Sequence, residues 1–524
     1  MGENVPGPDC VDGAARGGNV FMNSLGLSFL GFIPLIWLFA SLGWFKISAI
    51  KASLTGLAVT VIIAVFFYNF PPIYTLEAAT EGIILAIWPI LWAVIGAIYS
   101  YNVSVETRNI DKIKTMLAGL SADRRIQVLI IAWAFSGFLE GATGYGTAVA
   151  IPAGILMALG FEPIFAALIC LLGNTAPTAF GAIGIPLITL SRLTGYGIPV
   201  LSKNVASQLT PLIIIIPLIM VWLTARKGEG LKGVIGITLT AGLSFALVHY
   251  WTACYIGPEL PSMLGGIASL ASIMLWLRLQ KGRIVEAQNV VKVRPAEGLI
   301  AWSPYILLFI FIFTTSSIFP VINSFFGNFH SELLIYRGTG GKSMRINWIL
   351  TPGTFIFLAA VLGGLIQGAT WRQLMSIFVK TVRQLSKTII TICAFVAMSE
   401  IMSYSGMIER IALTLSTAAG KLFPLISPAI GALGTFLTGS DTSANILFGQ
   451  LQKQTALHLG INPQWITAAN DSGATAGKLL SPQNIAIAAA VTGLTGSEGK
   501  IFHQTIKFCL IYILILGLIV MFFH

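Results

Sequence analysis

Glu140, Asp441, Asp471 and Lys478 are ionisable residues set in stretches that are otherwise small or apolar. A charge at the centre of a membrane-spanning helix costs about 2.5–3.5 kcal/mol on insertion scales. Three acids and one amine suit the carriage of a small organic anion. The amine pairs with the substrate carboxylate, or with Asp441 or Asp471 when the site is empty. Protonating one acid offsets the anion's charge and so couples the anion to a proton. Three of the four also have a plainer reading: Glu140 as an acid at the membrane interface, Asp441 as a helix N-cap, and Lys478 as a lysine whose stem lies in the bilayer while its head reaches water.

Asn174 and Asn470 add amides that donate to a carboxylate and accept from a hydroxyl, although either also serves as a packing or capping group. The candidate substrate-binding set is Thr143, Gly144, Asn174, Thr175, Ser440, Thr442, Asn470 and Lys478. The candidate proton carriers are Glu140, Asp441 and Asp471. Ser481 and Gln483 follow Lys478 closely enough to line the same cavity. Gly141, Gly144 and Gly146 free backbone groups beside Glu140, and a helix that begins at Asp441 presents its positive end to an anion.

Broken helices must position these residues. One pair of interrupted stretches reads FLEGATGYGTAVAIP (138–152) and NTAPTAFGAIGIP (174–186); the other reads FLTGSDTSANILFG (436–449) and NDSGATAGKLLSP (470–482). Non-helical backbone at membrane depth is tolerated only where it is buried in protein or lines a cavity. Paired breaks in the two halves of a hydrophobic chain point to a transporter's binding site. The halves also match in detail. Asn174 and Pro186 are twelve residues apart, as are Asn470 and Pro482, and Gly181 and Gly477 each follow their asparagine by seven. Phe-Leu-x-Gly occurs at 138–141 and at 436–439, with gaps of 33 and 31 residues to the next asparagine. The chain divides into a short external segment (1–23), a first half (24–290) with motifs at 137–152 and 174–186, and a second half (291–524) with motifs at 434–449 and 470–484.

The composition sets the surroundings. Of 524 residues, 56% are hydrophobic and 10% charged, against about 25% charged in soluble proteins. Apolar runs of spanning length recur, which predicts an all-α polytopic membrane protein of about twelve spans plus hairpins. The net charge of +11 sits in short loops and reads as topology signalling rather than nucleic-acid binding; it places the basic loop at 46–51 inside and the N-terminus outside. The segment 323–347 breaks the alternation with Arg337, Lys342 and Arg345 and reads as an interfacial loop. The five cysteines show no metal or redox spacing. The N-terminus lacks the positive region of a signal peptide. His249, beside Tyr250 and Trp251, reads as a membrane-interface belt residue, Glu77 and Glu81 as residues at a span entrance, and Glu400 as flanking a short external turn. There is no P-loop, no clustered His/Cys set and no paired Asp-rich motif for magnesium and diphosphate.

At GFLEGATGYGTAVAIPA, GNTAPTAFGAIGIP, IGPELP (256–261), FLTGSDTSANILF and GKLLSPQNIAIA, the sequence resembles the L-lactate permease family. The resemblance runs from about residue 24 to the C-terminus, with departures at Thr143, Tyr145 and Asp471. It implies a secondary transporter importing lactate, glycolate or a similar 2-hydroxy monocarboxylate with protons across the bacterial or archaeal inner membrane. It further implies two inverted repeats with re-entrant hairpins, elevator-like motion and often a homodimer, with no cofactor beyond the coupling ion. Two alternatives stay open at this point: a sodium-coupled carboxylate transporter of the same superfamily, and a membrane-embedded sensor or enzyme that binds a small acid without moving it.

Overall fold

The computed structural model describes residues 24–41, 45, 47–118, 120–144, 146–225, 230–280, 294–316, 318–341, 343–494 and 497–523. The expected external segment 1–23 and Tyr145 lie outside the described residues. Eleven helices among those described are long and apolar enough to cross a membrane. Among the described residues the fold departs from an all-α expectation in one place. Within 323–347, strands His330–Leu333 and Met344–Asn347 pair antiparallel after a short helix, Pro320–Gly327. The loop between the strands is anchored by acids read as standing at a span entrance: Glu81 accepts the Tyr336 N–H at 3.0 Å and the Tyr404 hydroxyl at 2.7 Å, and Glu77 accepts the Arg337 N–H at 2.9 Å.

Two helical hairpins organise the centre. Helix Arg124–Ala142 runs to a tip that includes Thr143, Gly144 and Gly146, and helix Thr147–Ala158 runs back beside it. The reversal is fixed by Ser136 Oγ donating to Ala148 O at 2.7 Å, and by the Arg124 guanidinium donating to Gly160 O. The tip needs left-handed backbone, which Gly144 (φ 59°) and Gly146 (φ 79°) supply without a Cβ clash. The second hairpin pairs Phe423–Thr438 with Asp441–Leu459 about Gly439 (φ 76°). Ser427 and Gln452 lock it: the serine hydroxyl donates to Gln452 Oε1 at 2.9 Å, and Gln452 Nε2 donates to Ser427 O at 2.8 Å.

Each hairpin is followed by a broken span. The first joins Pro163–Gly173 to Gly181–Thr194 through a 3₁₀ turn, Ala176–Phe180, and three left-handed residues, Ala182, Ile183 and Gly184. The second joins Pro463–Gly477 to Pro482–Val491 through 478–481. The hairpins enter from opposite faces. The base of the first lies at Arg125, whose guanidinium donates to Lys232 O at 3.1 Å, beyond one end of the 27-residue helix Ile198–Thr224. The base of the second lies at Lys453, whose Nζ donates to Thr194 O at 2.6 Å, just before the other end of that helix. That helix is about 40 Å long. The arms then pack crosswise, Gly181–Thr194 on Asp441–Leu459 and Pro482–Val491 on Thr147–Ala158.

The duplication extends beyond the motifs. Helix starts Pro72 and Trp371, Asn109 and Met407, Arg124 and Phe423, Pro163 and Pro463, and Ile198 and Glu498 all stand about 300 residues apart. Helices Ile235–Tyr255 and Pro261–Leu279 lie between the repeats and pack on the first hairpin. There Gly266 lies directly on the backbone of Ala134 and Phe138, and Gly141 on that of Met263. Their connection rests on the first break: Pro258 backbone occupies the space a side chain at Gly184 would need, and Ser262 Oγ donates to Pro177 O at 2.6 Å.

Candidate functional site

The hairpin tips and the two breaks converge. Lys478, at the second break, sends Nζ to within 2.8 Å of Glu140 Oε1 near the first tip. Both are buried, Glu140 at 2% and Lys478 at 7% exposure. A charge pair taken out of water holds only when the geometry is tight, and Gly181 provides for it: a Cβ there would stand 2.5 Å from Glu140 Oε1. The second carboxylate oxygen, Glu140 Oε2, has no partner among the described residues.

Asp441 opens the helix Asp441–Leu459 without capping it. Ser440 is the cap, its hydroxyl accepting the Ser443 N–H at 3.3 Å. That leaves the Asp441 carboxylate for the cavity: Oδ1 accepts from Thr435 Oγ1 at 3.1 Å and Oδ2 is buried without a partner. Asp441 lies within electrostatic reach of both Lys478 and Glu140.

A cavity of about 320 Å³ occupies the convergence. Of the residues singled out from sequence, Glu140, Gly144, Ser440, Asp441, Thr442, Lys478 and Gln483 line it. It continues to residues 48–50 at the start of helix Ala49–Phe66, and to Lys387, Thr388 and Thr391 of helix Trp371–Tyr404. This mouth lies toward the face of the first hairpin's base. Lys380, seven residues before Lys387, pairs at 3.5 Å with Glu106, at the end of the helix that leads toward Arg124. Lys387 and Asn484 were missed in the sequence. The available signal was a cation and two hydroxyls at 387, 388 and 391, near one face of a helix.

Six residues expected at the site, Thr143, Asn174, Thr175, Asn470, Asp471 and Ser481, do not line the cavity. Thr143 donates to Leu139 O and shares a hydrogen bond with Thr147, while Thr175 donates to Leu172 O. Asn174 is buried behind the first break, with Oδ1 unpartnered. Asn470 donates to Asn445 Oδ1 at 2.9 Å, and Asn445 in turn donates to Asp471 Oδ1 at 2.6 Å and to Pro186 O at 3.0 Å. This amide network staples the second hairpin to both broken spans. Ser481 is buried and lines a neighbouring cavity that shares Ala49, Thr438 and Gln483 with this one. Successive helix residues point about 100° apart, so Asn470 and Asp471 face helix packing on the helix whose C-terminal end carries Lys478 into the cavity.

His249 is a further correction. It is fully buried, not a belt residue, with its ring edge-on to Phe180 at 4.7 Å and neither nitrogen partnered among the described residues. Glu400, read beside an external turn, is buried on helix Trp371–Tyr404.

The sequence matches the family described as L-lactate permease over residues 28–524. An L-lactate permease of Streptococcus iniae is 44% identical over 444 residues, which cover 85% of this chain and 94% of the relative. The glycolate permease GlcA of Escherichia coli (strain K12) is 34% identical, covering 95% of this chain and 96% of its own. The YdaH transporter of Alcanivorax borkumensis, known from a crystal structure, aligns over 95% of this chain and 97% of its own at 15% identity and a TM-score of 0.46.

Proposed function

The chain belongs to the L-lactate permease family, and from that premise we propose that it imports lactate, or a similar small 2-hydroxy monocarboxylate such as glycolate, by proton symport. The observation that carries this reading is the Lys478–Glu140 pair beside Asp441, whose Oδ2 lacks a partner, in one cavity between inverted hairpins.

The pair is neutral as it stands, and Lys387 is exposed at the mouth, so the ionised carboxylate of Asp441 leaves an uncompensated negative charge deep in the site that repels a second anion. A proton on Asp441 removes that repulsion. The substrate carboxylate then meets Lys478 and the positive end of helix Asp441–Leu459. Glu140 keeps Lys478 charged and oriented, and Asp471, away from the cavity, has a structural part. Proton and anion enter together because neither is favoured in the site alone.

The basic residues Arg108, Lys112, Lys114, Arg124 and Arg125 mark the first hairpin's face as cytoplasmic. The cavity mouth at Lys387 then makes this an inward-open form. The crosswise hairpins move together past the helices that carry residues 48–50 and 387–391, as an elevator. The reading is that of a carrier rather than an enzyme, with the proton as its coupling ion.

The test is counterflow of labelled lactate by the purified chain in vesicles, against a panel of unlabelled acids. It is followed by uptake with an inward proton gradient, and by exchange of sodium for choline at fixed pH. Lactate counterflow and proton-accelerated uptake are expected. Uptake that ignores the gradient and requires sodium overturns the coupling, and chemical conversion of the bound acid overturns transport.

A further inference from the structure

Asn484 stands in the first turn of helix Pro482–Val491, lines the cavity with Lys478, Glu140 and Asp441, and is 4% exposed. Its Nδ2 is buried and meets no acceptor among the described residues. An amide donor left unmade in a protein interior is costly, because it has lost its water without gaining an acceptor. The cost recurs around the cavity in complementary form: Glu140 Oε2 and Asp441 Oδ2 are acceptors that lack a donor. A ligand that completes this set must offer an acceptor to the amide and a proton to a carboxylate oxygen, besides an anion for Lys478. A hydroxyl on the carbon next to a carboxylate does all three.

We propose that Asn484 is the residue that reads the 2-hydroxyl of the substrate. Its N–H donates to the hydroxyl oxygen, the hydroxyl donates to the unpaired oxygen of Glu140 or Asp441, and the substrate carboxylate lies on Lys478. The proposal rests on the carriage of a 2-hydroxy acid. It takes this role away from Asn174 and Asn470, neither of which lines the cavity, the latter with its amide already bonded to Asn445.

A site that hydrogen-bonds a substrate hydroxyl rejects the analogue lacking it, because the protein groups are then left buried and unpaired. Lactate and propionate differ by that hydroxyl alone. In counterflow with the full chain in vesicles, the wild type is expected to prefer lactate by about 100-fold or more. Asn484→Ala lowers lactate transport much more than propionate transport and shrinks the preference by about ten-fold or more. Asn484→Leu, of similar size but with neither donor nor charge, gives the same collapse and decides the matter if the alanine variant does not reach the vesicles. An unchanged lactate-to-propionate ratio in a transporting Asn484 variant overturns the assignment, as does equal loss of both acids. Wild-type vesicles that show no lactate counterflow overturn the proposed substrate itself, and the assignment with it.

Discussion

Lys478 Nζ and Glu140 Oε1 lie 2.8 Å apart although 338 residues separate them in the chain. The contact ties the tip of one hairpin to the break that follows the other, so it joins the repeats at the cavity. Both side chains are buried, and each charge is compensated by the other.

Removing one partner strands the other. Glu140→Gln or Lys478→Met alone is expected to destabilise the protein by about 3–5 kcal/mol, as for a broken buried pair, and to abolish transport. The double variant Glu140→Gln/Lys478→Met carries no buried charge at either place. It is expected to recover most of the thermal stability while remaining inactive. Melting curves in detergent, set beside lactate counterflow, separate the two effects. A double variant as unstable as the singles means that the pair does not hold the repeats together.

Asp441→Asn keeps the side chain's shape and removes its titration. Exchange of lactate for lactate is expected to persist, because exchange needs no net proton movement, whereas accumulation driven by an inward proton gradient is lost. Measuring both in the same vesicle preparation checks this. Gradient-driven accumulation in the variant would move the proton to another acid.

The charges that meet in the cavity were legible in the sequence because an ionisable residue in an apolar stretch is conspicuous. Glu140, Asp441 and Lys478 needed only that signal, and the glycines beside them announced non-helical backbone. What those glycines do was not legible. Gly144 and Gly439 turn the chain back on itself, whereas the breaks near Gly184 and Lys478 let it continue, and glycine serves both equally. Asn174 and Asn470 misled for a geometric reason: their matched spacing records the duplication, and a duplicated position is as readily a packing position as a binding one. Asn484 has no matched partner, since Ile188 stands at the corresponding place in the first half, so the repeat gave no reason to single it out.

Opposed hairpins make a prediction about sidedness. Gly160 lies beside the base of the first hairpin and Gly460 at the base of the second, each with open space where a side chain would go. In an otherwise cysteine-free background, Gly160→Cys and Gly460→Cys are expected to react with a membrane-impermeant maleimide from opposite sides. With the first hairpin's base cytoplasmic, Gly460→Cys labels in intact cells and Gly160→Cys only after permeabilisation. Labelling of both from one side is incompatible with inverted repeats.

The connection between helices Ile235–Tyr255 and Pro261–Leu279 carries a pH dependence of its own. Burial pushes the Glu259 carboxyl up from about 4.5 to about 7, offset only in part by a backbone hydrogen bond. The folded protein therefore holds a proton there that the unfolded chain releases. The stabilisation is complete below the unfolded value of about 4.5 and is lost as pH rises through about 7. Because Pro258 backbone fits against Gly184, a charged Glu259 loosens the seat of the loop on the first break. Glu259→Gln stays neutral throughout. The difference in melting temperature between variant and wild type is thus expected to grow in the variant's favour between about pH 5.5 and pH 8. Glu259→Asp retains the titration and is expected to keep the wild-type slope. Parallel melting temperatures for wild type and Glu259→Gln across that range would show that the carboxyl is ionised at both ends, its loop indifferent to the charge.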